Sequence, residues 1–257
     1  MTDEIIHTQQ NGTVVELVDG GENNLYHIFM YMIMNFIQCN TDENIIYYYP
    51  KSNSNLLESI LGLLPSNFHR HYIKHPNLEY KPFIPGAKFL FDRNFADPEW
   101  AYPYQYNFLR ILFSHNFTPK NRPGLFIYIS RNRDSKYRQI TNEEKLINVL
   151  RPFGFKTITL SELTITKQIK VFAEADIILT PHGAGLTYLL FSNPELTVIE
   201  LTDTNKCNKH YWHLAWHFGL DYYRFLCNAD TDNNFTINIE LFQKFLLNHP
   251  KINSKIN

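Results

Sequence analysis

The sequence predicts an α/β chain made of two Rossmann-like halves. Three observations lead there. From Leu125 to Leu247, short β-branched or apolar runs alternate with stretches at helical spacing, as in a parallel sheet covered on both faces. Residues 175–191 pass from an apolar run, Ile177 to Leu179, through Pro181-His182-Gly183-Ala184-Gly185 into a second apolar run with Leu186, Leu189 and Leu190 at helical spacing. Between the halves, Thr118 to Gly124 carries two prolines and reads as a linker, which divides the chain into residues 1–118 and 119–257.

Taken in order, Thr13 to Val18 reads as a first strand and Gly20-Gly21 as its turn. Asn23 to Phe36 is apolar nearly all round and reads as a buried helix. Asn44 to Tyr49 is a second strand closed by Pro50, and Asn53 to Leu64 a helix with Asn53 or Ser54 as N-cap and Pro65 as stop. Residues 66–86 read as loop, with one short strand near Leu78 to Ile84; Ala87 to Phe91 is another strand. Asp97-Pro98-Glu99 opens a long helix to about His115 that Pro103 interrupts. In the second half the strands are Leu125 to Ile129, Lys156 to Thr159, Ile177 to Thr180, Thr197 to Leu201 and Tyr222 to Leu226. The helices are Thr141 to Leu150, Thr166 to Glu174, Leu186 to Phe191, Lys209 to Phe218 and Glu240 to Leu247, before a polar tail.

With 257 residues, 44% of them hydrophobic, the chain can bury a sizeable core. Its net charge of -1 and its lack of basic runs argue against nucleic acid as a partner. Met1 to Gln10 is polar and is not read as a signal peptide, and Ile28 to Ile37 is too short to span a bilayer, so a cytoplasmic location is expected. Cys39, Cys207 and Cys227 form no metal-ligand pattern and read as reduced thiols. Asp230-Thr231-Asp232 has the Asp-x-Asp form of metal-dependent transferases, but it follows the last strand and precedes Asn233-Asn234, which favours a polar turn. His69, His71 and His75 lack accompanying carboxylates or cysteines, and no metal site is expected.

The turn at 181–185 is the most informative stretch. A strand running through glycines into a helix exposes backbone N–H groups and the positive end of a helix dipole to an anion. Gly183 and Gly185 allow close backbone approach, and His182 places a titratable donor at the mouth. An ordinary strand-to-helix turn competes with that reading.

An ordered series of motifs resembles family 61 glycosyltransferases, which include plant xylosyl- and arabinosyltransferases and animal enzymes that put N-acetylglucosamine on Ser or Thr hydroxyls. The series runs Ile129-Ser130-Arg131, Arg138, Asn142-Glu143 with Leu146, Phe153-Gly154-Phe155, Gln168, and Ala175-Asp176 leading into Pro181 to Thr187. Val198 to Leu201, then Tyr211, Leu214-Ala215 and Gly219-Leu220, complete it. The first half matches more thinly: Asn24-Leu25-Tyr26-His27 resembles the motif that opens the family's first helix, but the acidic residue expected four positions after the histidine is Tyr31.

The resemblance implies a GT-B-like fold of two Rossmann-like domains facing a cleft, the N-terminal one reduced, and an inverting, metal-independent transfer with no cofactor beyond a UDP-sugar donor. The sugar expected is GlcNAc or a pentose, and the acceptor a hydroxyl of a glycan or protein. Donor contacts are expected from Ser130, Arg131, Arg138, His182, Gly183, Ala184, Gly185, Leu186, Thr187 and Glu200. Arg131, just past a strand end, could grip both phosphates or sit in a surface salt bridge. His182 could bond a phosphate or the sugar, or cap the turn; Glu200 could bind ribose hydroxyls or stand as a simple strand-end carboxylate. The general base is sought among His27, Glu22 and Asp19, with His27 preferred and a merely buried histidine as its alternative. A catalytically weakened nucleotide-sugar-binding or assembly protein is the second reading, motivated by Tyr31 and the small first half.

Overall fold

The computed structural model describes residues 12–16, 23–33, 44–50, 54–65, 72–75, 88–90, 103–114, 125–203 and 209–253. It divides into two compact units, Met1–His115 and Asn116–Asn257.

The first unit holds a four-stranded parallel sheet of β1 (Gly12–Glu16), β2 (Asn44–Pro50), β3 (Tyr72–His75) and β4 (Lys88–Leu90), in the order β3-β2-β1-β4. That is the order of half a Rossmann sheet, with Val14 opposite Ile46 on one side and Phe89 on the other. Asn24 caps α1 (Leu25–His27) by accepting the Tyr26 N–H at 3.0 Å. The predicted buried helix then departs from α geometry: Ile28–Met32 is a π-helical turn. Ile28, Phe29 and Met30 are all buried, and Phe29 meets Phe113 edge-on at 5.4 Å. Ser54 caps α2 (Asn55–Leu61) through the Leu57 N–H at 3.2 Å. Of the helix expected from Asp97 to about His115, the described part is α3 (Pro103–Phe113); Asp97 to Tyr102 lie outside the described residues. The short strand expected near Leu78 to Ile84 lies outside the described residues.

The second unit carries β5 (Phe126–Ser130), β6 (Phe155–Thr159), β7 (Ile177–Pro181), β8 (Thr197–Asp203), β9 (Asp221–Ala229) and β10 (Phe235–Thr236). Their order is β10-β9-β8-β7-β5-β6; β5 to β9 run parallel, and β10 folds back antiparallel on β9. Every residue of β5, β7 and β8 is buried, whereas β6 and β9 mix buried and exposed positions. Central strands covered on both faces read as continuous apolar runs for this reason. On one face, Tyr128, Leu179, Ile199 and Leu201 pack with Leu146 and Leu150 of α4 (Glu143–Leu150) and with Phe242 and Leu246 of α7 (Ile239–Asn248). α5 (Ile165–Glu174) buries Ile169 and Phe172, and Phe172 lies 5.6 Å from the ring of Tyr188. The expected polar tail instead begins with a further helical turn, Pro250–Asn253, that buries Ile252 completely. Cys227 is free and buried, and burial pushes its thiol up to about 12. Among the described residues, no helix is long and apolar enough to cross a membrane.

Candidate functional site

Counted within the second unit, the strand order is 2-1-3-4-5-6, and the direction of winding reverses between β5 and β7. Loops leaving neighbouring strands diverge there, so a crevice opens at the carboxyl ends of β5 and β7, where open α/β sheets bind ligands. Residues 131–139 and 182–185 form its two lips.

The first lip is held by its own hydrogen bonds. Asn132 pairs with Ile140 through both side-chain atoms, accepting the Ile140 N–H at 2.8 Å and donating to its carbonyl at 3.0 Å. Gln139 donates to the Ser135 carbonyl at 2.7 Å, and the Arg138 N–H reaches the Asn233 carbonyl at 3.1 Å. Arg138 and Asn233 both take left-handed backbone, with φ of 60° and 61°. Arg131 closes the turn with its carbonyl, which accepts the N–H groups of Asp134 and Ser135.

The Arg131 side chain crosses to the second lip and lies on Gly183. A Cβ on Gly183 would stand 1.8 Å from Arg131 Nη1 and 2.6 Å from Cζ. Gly183 has φ 171° and ψ 170°, extended backbone open to any residue, so glycine is needed here for space. Arg131 Nε is buried without a hydrogen-bond partner. Burial, and then the neighbouring Arg138 cation, pull the Arg131 guanidinium below its ordinary basicity. Beyond Gly183 a 3₁₀ helix, Ala184–Phe191, replaces the expected α-helix and starts two residues earlier. The first amide bonded inside it is that of Leu186, to the Gly183 carbonyl at 3.0 Å, which leaves those of Ala184 and Gly185 without an intrahelical acceptor.

His182 begins the second lip. Its Nδ1 is 2.5 Å from Glu200 Oε1, and Glu200 Oε2 is 3.3 Å from Arg224 Nε. Arg138 Nη1 donates to the His182 carbonyl at 3.4 Å. Tyr211, on α6 (His210–His217), places its ring 5.1 Å from that of His182, and burial drives its phenol well above the ordinary range. The crevice encloses about 560 Å³; Arg131, Arg138 and His182 line one part, and Tyr137, Thr202, Asp203, Asn233 and Phe235 the rest.

The structure thus brings Arg131, Arg138, His182 and Gly183 together, with Ala184 and Gly185 beside them. It turns other motif residues away. The Ser130 hydroxyl donates to Glu143 at 2.6 Å, beside the Tyr128 hydroxyl at 2.8 Å. Gln168 ties the carbonyls of Leu160 and Leu163, and Asn142 clamps the backbone of Ile237. Leu186 and Thr187 are buried behind the turn. Glu200 is only 1% exposed and has both oxygens engaged by protein groups. His27 ends α1 in the first unit, half-buried; Asp19 and Glu22 lie outside the described residues.

Asp230 accepts the N–H groups of Asp232 and Asn234 at 2.9 and 2.8 Å, so Asp-x-Asp here is a polar turn. Among the described residues, no three His, Cys, Asp or Glu side chains converge as metal ligands. His75 ends β3; His69 and His71 lie outside the described residues.

Sequence reasoning missed Tyr137, Thr202, Asp203, Asn233 and Phe235 as crevice walls, and Arg224 as the partner of Glu200. The strand-end rule applied to β8 would have found Thr202 and Asp203. Arg224 stands opposite Glu200 in the β8–β9 register, a pairing visible only once the strand order is known.

The family model described as Glycosyltransferase 61 matches residues 49–199, more than half of the chain and both lips of the crevice. The chain belongs to the glycosyltransferase 61 family. Curated relatives of this chain include the EGF domain-specific O-linked N-acetylglucosamine transferases. The Drosophila melanogaster protein is 32% identical over 88 residues, 33% of this chain and 16% of its own. The Gallus gallus and Mus musculus proteins are 34% and 35% identical over 74 residues, 27% of this chain and 14% of theirs. The matched segment therefore spans a small part of those relatives.

Proposed function

We propose that the chain is an inverting, metal-independent glycosyltransferase that moves GlcNAc or a pentose from a UDP-sugar to a hydroxyl of a glycan or protein. One observation carries the reading. Arg131 is held over Gly183 with a buried, unpartnered Nε and a second cation, Arg138, nearby. Desolvated like charges are costly unless an anion joins them, and a diphosphate is the anion whose geometry two guanidiniums fit. The N-acetylglucosamine in the relatives' names favours GlcNAc, and their EGF-domain acceptors favour a protein hydroxyl.

In this reading the chain has the GT-B organisation, residues 1–118 serving the acceptor and 119–257 the donor. The acceptor oxygen attacks the anomeric carbon on the face opposite the diphosphate, and its proton passes to the base. The bond from that carbon to the phosphate oxygen breaks with its electron pair on the departing UDP. Arg131, Arg138, His182 and the amides of Ala184 and Gly185 receive the developing charge. Glycine and backbone amides at this point let the phosphates come closer than side chains would.

The reading is tested first by binding. UDP at 100 times its dissociation constant should stabilise the protein by about 2.7 kcal/mol, in EDTA as in buffer, and sugar transfer should likewise survive EDTA. Transfer that disappears with EDTA and returns with Mn²⁺ overturns metal independence. UDP binding with no turnover on any hydroxyl acceptor identifies the nucleotide-sugar-binding alternative.

His27 is proposed as the base. His27→Ala should leave UDP affinity unchanged and cut turnover about 100-fold or more. Wild-type turnover in that variant moves the role to Glu22 or Asp19. Tyr31, whose unperturbed phenol ionises near about 10, is no substitute at neutral pH.

A further inference from the structure

We propose that Glu200 and Arg224 are positioning residues for His182, which meets the donor's diphosphate as an imidazolium, so that binding a nucleoside diphosphate takes up a proton. The inference rests on the donor reading above. It starts from the burial of Glu200, a carboxylate 1% exposed in the middle strand β8. Such a group persists only if its oxygens are paired, and both are: Oε1 with His182 Nδ1 at 2.5 Å, Oε2 with Arg224 Nε at 3.3 Å. Arg224 is set opposite Glu200 by the parallel register of β8 and β9, and its Nη2 also reaches Thr202 Oγ1 at 3.5 Å. The carboxylate is thereby fixed before any ligand arrives.

A carboxylate can only accept, so the short contact assigns the proton to His182 Nδ1. Nε2 is left as the other polar atom of a ring that lines the crevice. With a neutral ring, Nε2 would offer a lone pair, which repels a phosphate oxygen. With a charged ring it offers an N–H and a third positive charge beside Arg131 and Arg138. Glu200 favours the charged ring, and the two guanidiniums oppose it until an anion neutralises them. The other groups around the pair are Tyr211 and Tyr222, both held neutral by burial, Arg224, engaged by Glu200, and the Asp203 carboxylate on the crevice wall. UDP itself is about nine-tenths ionised at pH 7 and more so above it, since a terminal phosphate loses its second proton near pH ~6.

The experiment is calorimetric titration of the full chain with UDP from pH 7 to 9, in buffers of different ionisation enthalpy. We expect up to one proton taken up per UDP, and an affinity that falls as pH rises, by up to about tenfold per pH unit where the uptake is one proton. Glu200→Gln keeps the volume and removes the charge; it should abolish the proton uptake and weaken UDP about tenfold at pH 7. In a His182→Ala background the same change should add nothing, because Glu200 acts through the ring. A merely structural Glu200 would weaken UDP equally in both backgrounds, which overturns the assignment. Tight UDP binding by the wild type with no proton uptake also overturns it while leaving the donor reading intact; absence of UDP binding defeats the donor reading itself. The proton count on the wild type decides the matter even if Glu200→Gln does not fold.

Discussion

Replacing Arg131 by alanine is expected to abolish transfer and to weaken UDP binding by about 1.5–3 kcal/mol, roughly tenfold to 150-fold in Kd. The guanidinium spans the crevice from the end of β5 to the turn after β7, and the three atoms nearest to a Cβ on Gly183 are all its own. The same substitution should not lower the melting temperature of the ligand-free protein. It removes a cation with a buried, unpaired Nε and a like-charged neighbour, while the backbone of residue 131, which anchors the turn through its carbonyl, stays in place. Thermal denaturation with and without UDP reads both effects. A folded variant whose UDP-induced stabilisation equals that of the wild type would place Arg131 outside the donor site.

Gly183→Ala is expected to have nearly the same effect without touching the arginine. Its Cβ would fall 1.8 Å from Arg131 Nη1, so the guanidinium must leave. The displaced atoms are the far end of a flexible side chain, and the extended backbone at 183 accepts any residue, so folding should be little affected. UDP binding and transfer should fall as in Arg131→Ala. Combining the two substitutions should cost no more than either alone, since the alanine methyl has nothing left to displace. Full additivity, measured as UDP affinity across the four proteins, would show that Gly183 serves the ligand directly through its backbone.

Much of the second unit was legible because its strands are apolar along their whole length and its turns carry glycine and proline. β5, β7 and the 181–185 turn could be placed to within a residue or two, and with them Arg131, His182 and Gly183. What could not be read depends on pairings remote in sequence. For Glu200 the residues alone leave open a ribose contact or a simple strand-end carboxylate; its neighbours in the protein, His182 and Arg224, are fixed by strand order, and a strand buried on both faces gives no alternation from which to judge which way Glu200 points. Ser130 and Gln168 fit the motif series as well as Arg131 does, yet they hold the scaffold, and spacing alone cannot separate the two roles. Asp230-Thr231-Asp232 was rightly read as a polar turn, but the crevice wall that Asn233 and Phe235 help to build is formed only when β10 folds back on β9.

Arg138 holds a backbone angle that suits glycine and costs a branched or long side chain roughly 1–2 kcal/mol. Its partner across the hydrogen bond, Asn233, is a residue type that tolerates the left-handed region; arginine is not. Thermostability and retention of a cation on the crevice wall are therefore opposing selective pressures on a single codon, and lineages released from the need for that cation would drift there toward glycine.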